Sequence, residues 1–455
     1  MAEKHILLVT FPAQGHINPS LQFAKRLAKH GVKVTVLTST SATARMSQTL
    51  SPFFRSLIDV VSFSTGPDSS AQDANKFNQA ITHHGTKAVE DAVAANRAAG
   101  RPYSRIVYSL LVPWAGLAAR RLGVPVTLLC IQPAALFGVY FHYHNKNFDP
   151  SEEVIEMRGV PRLRRGDLPS FFLDTNPIVR DFGNRLLSDI FEILDGEDER
   201  ATVVVNTFDA LEAEALRGLD RYRLAAIGPL IPSAFLDGAD PSDASFGGDL
   251  VQKSDGYMQF LDSAERESVI YVAFGSNSRL PWSQTEAIAE ALVRIRRPFL
   301  WVMRDSEERE RLSCKEELEK RGKVVSWCNQ VEVLSHRSVG CFVSHCGWNS
   351  TLESLAAGVP VVAMAQAVDQ VTNAKLVEDL WRCGVGAAKE EIVVADEIVR
   401  CLEVVMDGGD ESREMRRSAK KWRDLAREAV ADGGTSQVNL TMFVDQIVVD
   451  SQSTF

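Results

Sequence analysis

Short apolar segments alternate with helical segments along most of the chain, and this rhythm constrains the fold more than any other feature. The first unit has an apolar run at Ile6–Val9, a helical pattern at Ser20–Lys29 with its apolar residues on one face, and a second apolar run at Val34–Leu37. The unit recurs around Ile106–Leu129 and Val203–Leu216, and again in the second half of the chain. Short strands alternating with such helices indicate parallel sheets covered by helices on both faces.

One segment interrupts the rhythm. Between Ile227 and Asp255 the sequence GPLIPSAFLDGADPSDASFGGD is rich in Gly, Pro, Ser and Asp and has no sustained period, which is typical of a linker. The sequence therefore predicts an α/β protein with two doubly wound domains that face each other across a cleft. Ligands of such sheets bind at the carboxyl ends of the strands, so the loops there are the candidates for a site.

Composition narrows the class of function. The chain has 59 acidic and 50 basic residues and a formal charge of −9, which argues against nucleic acid or an anionic membrane as the main partner. Its longest apolar run, Leu355–Ala365, is far shorter than the roughly 20 residues that a membrane span needs. The seven cysteines include no C-x-x-C pair, so we expect reduced thiols and a cytoplasmic protein.

The segment HCGWNSTLES, His345–Ser354, joins an apolar run to a helical pattern. Ser350 and Glu353 have the spacing of a capping box, so an ordinary helix start is one explanation. Capping does not require the remaining residues of the segment, however. Gly347 lets the backbone approach a ligand closely, and the N–H groups and dipole of a helix N-terminus favour an anion. The junction therefore predicts a site for a phosphate or a diphosphate.

Two other loops follow strands that would end at the same cleft. In YVAFGSNS, Gly275-Ser276 comes directly after an apolar run and could reach a phosphate, although a simple turn explains it equally well. In FPAQGHINP, Gly15-His16 places an imidazole at the mouth of a helix in the first domain. Histidine is suited to proton transfer near neutral pH, so His16 is a candidate general base.

Several familiar signatures are missing. The sequence has no G-x-x-x-x-G-K-[ST] motif, which argues against a P-loop phosphotransferase. Gly384-Val-Gly386 lacks the third glycine of a dinucleotide-binding loop and would follow a helix rather than a strand, so we set it aside. No H-E-x-x-H motif or Cys/His cluster supports a metal site. We therefore expect neither a metal nor a bound cofactor.

Taken together, these stretches resemble one family. The 44 positions from Trp327 to Gln370, WCNQVEVLSHRSVGCFVSHCGWNSTLESLAAGVPVVAMAQAVDQ, are similar to the signature box of plant UDP-sugar-dependent glycosyltransferases of secondary metabolism. FPAQGHINP resembles the N-terminal acceptor-domain loop of that family, and IGPLIPSAFLDGADPSDASFGGDL, RRPFLWVMR and VMDGG resemble its anthocyanin 5-O-glucosyltransferase branch. The resemblance covers essentially the whole chain and implies the GT-B fold, with the final helix crossing back to the first domain.

The resemblance also implies domain boundaries and donor-site roles. The acceptor domain would comprise residues 1–228 and 437–455, the linker residues 229–255, and the UDP-sugar domain residues 256–436. UDP-glucose would be the co-substrate, since a terminal Gln in this box goes with glucose in the family. Trp327, Cys328 and Gln330 would hold uracil and ribose, Glu353 the ribose hydroxyls, Ser276, His345, Asn349 and Ser350 the diphosphate beside Gly347, and Trp348, Asp369 and Gln370 the sugar.

By the same resemblance His16 would deprotonate the acceptor in an inverting reaction, but the chain departs from the family at two positions. Most members have an aspartate beside the catalytic histidine, whereas this chain has Ser109. A hydroxyl can orient an imidazole but cannot supply a countercharge, so we expect a weaker base and an acidic acceptor. The second departure is Ala367, where the family usually has an aromatic residue, so some of the packing around the sugar would be lost.

Three hypotheses remain open from the sequence. The first is glucose transfer to a phenolic hydroxyl of a flavonoid or anthocyanin, the second is glucose-ester formation on a small carboxylic acid, and the third is a nucleotide-sugar-binding protein without catalysis. The acceptor pocket would include residues near His84, Leu110, Phe137 and Phe141. We expect a monomer whose partners are the UDP-sugar and a small aromatic or carboxylic acceptor.

Overall fold

The computed structural model describes residues 4–46, 56–66, 74–197, 200–247, 253–276, 278–388 and 390–452. The first domain has strands β1 (His5–Val9), β2 (Lys33–Ser39), β3 (Ile58–Phe63), β4 (Arg105–Ser109), β5 (Val126–Cys130), β6 (Ile155–Met157), β7 (Val160–Leu163), β8 (Thr202–Val205) and β9 (Arg223–Ala226). The second has β10 (Val269–Ala273), β11 (Phe299–Val302), β12 (Gly322–Val325), β13 (Val339–Ser344), β14 (Val361–Ala363) and β15 (Gly384–Gly386).

Each domain is built on its own parallel sheet. The first sheet has the order β3-β2-β1-β4-β5-β8-β9 and the second has the order β12-β11-β10-β13-β14-β15, while β6 and β7 form a separate antiparallel hairpin. The strands β1, β5, β10 and β13 are buried along their whole length because helices cover both faces of each sheet. The prediction of two doubly wound α/β domains is confirmed, although Gly384-Val-Gly386, which we had set aside, is an edge strand.

Helices follow most of the strands. Those of the first domain are α1 (Gln14–Lys29), α2 (Thr40–Met46), α3 (Ala74–Ala98), α4 (Pro113–Arg121), α5 (Ala134–His144), α6 (Pro177–Asp195) and α7 (Asp209–Leu216). Those that follow are α8 (Tyr257–Ser263), α9 (Trp282–Ile295), α10 (Ser306–Arg311), α11 (Lys315–Glu319), α12 (Gln330–Leu334), α13 (Trp348–Ala357), α14 (Gln370–Lys375), α15 (Ala395–Met406), α16 (Asp410–Val430) and α17 (Thr435–Gln452).

The helix α1 begins earlier than the sequence predicts. It starts at Gln14 rather than at Ser20, so His16 lies in its first turn and not in a loop. Proline usually marks the boundary of a helix, which is why Pro19 suggested a later start. In the structure Pro19 is accommodated inside the helix, near its N-terminal end.

The Pro/Gly-rich segment is fixed to the first domain rather than being a free linker. Asp243 forms an ion pair with Lys25 of α1 at 2.8 Å, and the two side chains are only 2% and 5% exposed. Asp243 also accepts hydrogen bonds from Gln22 and from the Ser233 backbone. Residues 229–247 therefore pack on α1 as part of the domain, and residues 248–252 of the predicted linker lie outside the described residues.

The last helix, α17, packs on the first domain. Its residues Leu440, Phe443 and Val444 are buried in the same apolar cluster as Phe23 of α1, and Ser436 donates to the Gly228 carbonyl at 2.6 Å. The final helix therefore returns to the first domain, as the resemblance implies. Within the described ranges, no helix is long and apolar enough to span a membrane, and each of the seven cysteines is a free thiol.

Candidate functional site

The strand orders place two crevices at the centre of the molecule. In the first sheet the order reverses between β1 and β4, and in the second between β10 and β13. Ligands of doubly wound sheets bind at such switch points, outside the carboxyl ends of the strands. His16 follows β1 and Ser109 ends β4, while Ser276 follows β10 and His345 follows β13. The fold thus brings the sequence-predicted residues to the two switch points.

At the first switch point the imidazole of His16 faces a hydroxyl. Its Nδ1 lies 3.4 Å from Ser109 Oγ, and the same oxygen accepts a hydrogen bond from the Phe11 backbone N–H at 3.4 Å. Ser109 is fully buried. Burial lowers the pKa of His16 to about 4, so the ring is neutral at physiological pH. A neutral ring whose Nδ1–H points at Ser109 leaves Nε2 to accept a proton.

Aromatic rings form a wall beside this imidazole. The Phe11 and His16 rings are 5.5 Å apart, and Phe77 of α3 meets the edge of Phe11 at 6.2 Å. Phe11 belongs to the loop FPAQGHINP that the sequence analysis identified. Phe77 was not predicted, because it lies almost 30 residues before β4, the strand that carries Ser109. Such a wall suits a flat, apolar acceptor.

At the second switch point glycines surround a buried imidazole. A Cβ on Gly275 or Gly347 would fall 2.7 or 2.6 Å from Nε2 of His345, so only glycine fits at either position. Burial lowers the pKa of His345 to about 4, and its Nδ1 is buried without a hydrogen-bond partner. This neutral ring can donate one hydrogen bond to an anion held in the same crevice.

The helix α13 begins beside His345 without a side-chain cap. Gly347 is the residue before its first turn and no side chain accepts from that turn. The predicted capping box of Ser350 and Glu353 is therefore wrong, because the helix starts at Trp348 and Ser350 already lies inside it. The first N–H groups of a helix have no partner within it, so this end can bind an anion.

Ser276 lies on the facing loop after β10. Its backbone carbonyl, like that of Ser278, accepts a hydrogen bond from the Arg304 guanidinium at the end of β11. The loop is thereby fixed by its carbonyl groups, so the hydroxyl of Ser276 is not needed to hold it.

A polar cluster continues from the anion site along α12 and α13. The side-chain amide of Gln330 donates to Ser350 Oγ at 2.8 Å and to Glu353 Oε2 at 2.6 Å, and its oxygen accepts from Tyr271. Burial raises the pKa of the Glu353 carboxyl to about 7. A carboxylate held in this way can accept hydrogen bonds from two neighbouring hydroxyl groups of a ligand.

Trp327 and Cys328 lie at the far end of this cluster. The backbone of Trp327 exchanges hydrogen bonds with Ser254, at 2.9 Å from Ser254 N to the Trp327 carbonyl. The thiol of Cys328 is buried against the Tyr271 hydroxyl. Trp327 is half-buried, so one part of its indole remains available for stacking.

The loop before α14 carries the predicted sugar residues. The carboxylate of Asp369 accepts from Asn373, whose amide also donates to the Cys346 carbonyl at 2.9 Å. Burial raises the pKa of Asp369 to about 6. The side-chain oxygen of Gln370 accepts from the backbone N–H groups of Gln366 and Ala367. Only the amide N–H groups of Gln370 then remain to meet a ligand hydroxyl.

The residue before Asp369 has a strained backbone. Val368 has a φ of +59°, a region that costs a β-branched residue roughly 1–3 kcal/mol. Ser170 of the first domain holds it there, because its Oγ accepts from Val368 N at 2.8 Å and its N–H donates to the Val368 carbonyl at 3.1 Å. The sugar loop is thus attached to the first domain, a contact that no sequence pattern indicated.

The indole of Trp348 contacts the first domain, which leaves only its backbone N–H, at the start of α13, for the predicted contact with the sugar. Its indole N–H donates to the Asn206 carbonyl of the first domain at 2.8 Å, and the side chain is only 3% exposed. Trp381 makes a similar bond to the Leu211 carbonyl. The indole of Trp348 is therefore committed to the contact between the domains and not to a sugar hydroxyl.

The predicted acceptor residues differ in burial and packing. Phe137 is 1% exposed and packs, like Phe141, on the rings of Phe191 and Tyr222. Phe137 therefore belongs to the core between α5 and α6 and does not line a pocket, whereas the half-buried Phe141 stays a predicted acceptor residue. Leu110 is buried directly after Ser109.

His84 lies on the exposed side of α3. It lines a groove of about 350 Å³ together with residues of β3 and with Lys87 and Asp91. Within the described part of the chain, no three His, Cys, Asp or Glu side chains are grouped so that they could hold a metal ion.

Comparison with known proteins agrees with this geometry. The model of the family described as UDP-glucoronosyl and UDP-glucosyl transferase matches residues 244–419. An anthocyanidin 3-O-glucoside 5-O-glucosyltransferase of Verbena hybrida is 49% identical over 98% of this chain and 100% of its own length. A crocetin glucosyltransferase of Gardenia jasminoides is 46% identical over 97% of each chain.

A solved structure is similar over the same length. The crystal structure of Os79 from O. sativa in complex with UDP superposes with a TM-score of 0.87 and 33% identity, and the similarity covers 97% of this chain and 100% of that one. The similarity therefore extends over both domains and the cleft between them.

Proposed function

Because the chain belongs to the UDP-glucoronosyl and UDP-glucosyl transferase family and is a UDP-glucose-dependent glucosyltransferase of plant secondary metabolism, we propose that it glucosylates a phenolic hydroxyl. The acceptor is a flavonoid or anthocyanin, as for the relative named as an anthocyanidin 3-O-glucoside 5-O-glucosyltransferase. His16 is the general base. Family membership sets aside the alternative of a binding protein without catalysis.

One observation carries this proposal. The side-chain amide of Asn349, at the N-terminal end of α13, lies 2.7 Å from the Gly15 carbonyl, one residue before His16. The imidazole and the anion-binding end of the helix therefore border the same part of the cleft. A base and a leaving group must be this close if the acceptor oxygen is to attack in line.

The reaction is a direct displacement. Nε2 of His16 removes the proton of the acceptor hydroxyl while the oxygen attacks the anomeric carbon, and the bond from that carbon to the diphosphate oxygen breaks. UDP leaves from the opposite face, so the configuration inverts. His345, Asn349 and the first N–H groups of α13 stabilise the negative charge that grows on the diphosphate. These donors can perform that task without a metal ion.

The resemblance to the family supports roles for the remaining donor-site residues. Trp327 stacks on uracil, with Cys328 and Gln330 beside the base and ribose, and Glu353 accepts hydrogen bonds from the ribose hydroxyls. Ser276 and Ser350 add donors to the diphosphate. Asp369 and the amide of Gln370 bind the glucose hydroxyls.

Ser109 supports an acidic acceptor. Its hydroxyl orients the imidazole but supplies no negative charge, and the pKa of His16 is held at about 4 by burial alone. A base this weak takes a proton efficiently only from an acceptor that ionises easily, because proton transfer is most efficient when the two pKa values are close. Flavonoid and anthocyanin hydroxyls are more acidic than alcohols, so they fit this base.

A series of phenols of decreasing acidity tests this proposal. We expect wild-type kcat/KM to fall steeply as the acceptor pKa rises from about 7 to about 10. Ser109→Asp should raise kcat/KM on the least acidic phenols by about tenfold or more, because a neighbouring carboxylate raises an imidazole pKa by roughly 1–3 units. Ser109→Asn, equal in size but uncharged, should not. If kcat/KM depended on the acceptor pKa in the same way in the wild type and in both variants, the role of Ser109 would be contradicted.

Donor binding should depend on pH through Glu353. Its pKa is raised to about 7 by burial, and ribose hydroxyls bind better to the ionised carboxylate. UDP-glucose affinity, measured by calorimetry, should therefore increase roughly tenfold between pH 6 and pH 8. Both phosphates of UDP-glucose are esterified, so the ligand does not titrate in this range. Glu353→Gln should bind more weakly and keep only the roughly twofold change that Asp369, with a pKa of about 6, contributes over this range. A wild-type-like profile in that variant would contradict the assignment.

The raised pKa of Glu353 also affects the stability of the free protein, which should fall with rising pH while the affinity for the donor increases. Between the unfolded pKa of about 4.3 and the folded pKa of about 7, the folded state holds more protons than the unfolded state. The free energy of unfolding should therefore decrease as the pH rises through this window. Glu353→Gln should remove that part of the decrease.

A second candidate acceptor is a small carboxylic acid. One relative is named for crocetin, which is a dicarboxylic acid, and a carboxylate needs no proton removed before it attacks. The weak base at His16 is compatible with this reaction too. Mild alkali distinguishes the products, because it hydrolyses a glucose ester and leaves a phenolic glucoside intact.

A further inference from the structure

Pro19 leaves one carbonyl of α1 without its usual partner. In an α-helix the N–H of each residue donates to the carbonyl four residues earlier. The residue four positions before Pro19 is Gly15, and proline has no N–H to donate. The proline ring also clashes with that carbonyl and pushes it away from the helix axis. Within α1, the Gly15 carbonyl is therefore available to an outside donor.

That donor comes from the other domain. Nδ2 of Asn349 donates to the Gly15 carbonyl at 2.7 Å, a distance typical of a good hydrogen bond. A side-chain amide has two N–H groups, so one of them can bind Gly15 while the other binds the donor diphosphate. Gly15 directly precedes His16, so the contact fixes the backbone from which the imidazole projects.

We infer that Pro19 and Asn349 are positioning residues that fix His16 against the bound donor. Pro19 keeps the Gly15 carbonyl turned outward, and Asn349 holds it there while also facing the diphosphate. The inference rests on the proposed function, in which His16 is the base. It adds that the proline inside α1 is required for the orientation of the base and not for the stability of the helix.

Other contacts already hold the two domains together, so this hydrogen bond is not needed for that purpose. The indoles of Trp348 and Trp381 both donate to backbone carbonyls of the first domain, and Ser170 binds the Val368 backbone. The bond from Asn349 differs from these because it ends one residue from the base. Its loss should therefore affect turnover rather than domain packing.

Pro19→Ala tests the inference. The new N–H would compete for the Gly15 carbonyl and turn it toward the helix axis, while the loss of an interior proline should leave the thermal midpoint at or above that of the wild type. We expect kcat to fall by about 3- to 10-fold, the effect of one lost or shared hydrogen bond. KM for UDP-glucose should not increase, since the donor contacts of the second domain remain.

Pro177→Ala is the matched control. Pro177 begins α6, where a missing N–H costs no helical hydrogen bond, so kcat should remain within about twofold of wild type. A double-mutant cycle with Asn349→Ala provides the second test. In that background Pro19→Ala should cause little further loss of kcat, because the contact it weakens is already gone.

The outcomes separate this inference from the proposed function. If the wild type transfers glucose and Pro19→Ala has unchanged kcat, the inference alone fails. It also fails if the loss of kcat persists in the Asn349→Ala background or accompanies a lower thermal midpoint, because the effect is then structural. If the wild type transfers no glucose from UDP-glucose to any phenol or carboxylic acid, the proposed function itself fails.

Discussion

His16→Ala is expected to lower kcat by ~10²–10⁴-fold, the usual contribution of a positioned general base. Donor affinity should change little, because the residues assigned to UDP-glucose belong to the second domain. The imidazole contacts Ser109 and Phe11 within the first domain, so its removal should not disturb the crevice around His345. The measurement is steady-state glucose transfer to a phenol, together with calorimetric titration of UDP-glucose.

The residual activity of His16→Ala should have a distinctive dependence on the acceptor. Without the imidazole only an acceptor that is already ionised can attack, so kcat/KM should rise with pH until the phenol has ionised. The defect should be smallest for the most acidic phenols. His84→Ala, on an exposed part of α3, is a control histidine that should retain its kcat. Turnover close to wild type in His16→Ala would show that another group removes the proton.

Asp243→Ala is expected to have the largest effect on stability. The carboxylate of Asp243 pairs with the buried ammonium of Lys25, and it also helps to keep the desolvated Arg26 charged. Removing one partner of a buried ion pair costs about 3–5 kcal/mol, because the other charge stays in the interior without its counterion. The free energy of unfolding from urea titration, followed by a probe in the first domain, measures this loss.

A neighbouring ion pair provides the control. Asp240 pairs with Lys29 of the same helix, but these side chains are 29% and 41% exposed, and exposed pairs contribute only about 0–1 kcal/mol. Asp240→Ala should therefore shift the urea midpoint far less than Asp243→Ala. Asp243→Asn, which keeps the size but not the charge, should fall between them. Equal shifts for the two alanine variants would mean that the Pro/Gly-rich segment is not held by this buried pair.

The periodic pattern predicted the parts of the fold in which local and tertiary preferences agree. The apolar runs at Ile6–Val9 and Val34–Leu37 lie within β1 and β2, since both are short, mainly apolar segments that flank a helical pattern. The helix α5 was missed because AALFGVYFHYH is apolar on nearly all sides and so has no helical period. The predicted start of α1 is too late because Pro19 lies inside the helix, whereas proline usually marks a helix boundary.

The site was predictable where residue type alone determines the chemistry. His16, Ser109 and His345 lie at the two switch points, as strands that end in polar loops suggest. Glu353 lies inside α13 and Asp369 follows β14, and their roles come from the resemblance to the family. The contacts between the domains could not be predicted, because they use backbone carbonyls, which any sequence supplies. Trp348 binds the Asn206 carbonyl and Ser170 binds the backbone of Val368. Only the packed structure determines which carbonyls are within reach.

The central claim is inverting transfer of glucose from UDP-glucose to an acidic phenol. The most direct measurement is to incubate the protein with UDP-glucose and an equimolar mixture of a flavonoid or anthocyanin acceptor and an aromatic carboxylic acid. The product is then identified by mass spectrometry, mild alkali and NMR of the anomeric proton. We predict a β-linked phenolic glucoside that survives the alkali. An α-linked product would contradict the direct displacement, and an alkali-labile ester as the sole product would contradict the phenolic acceptor.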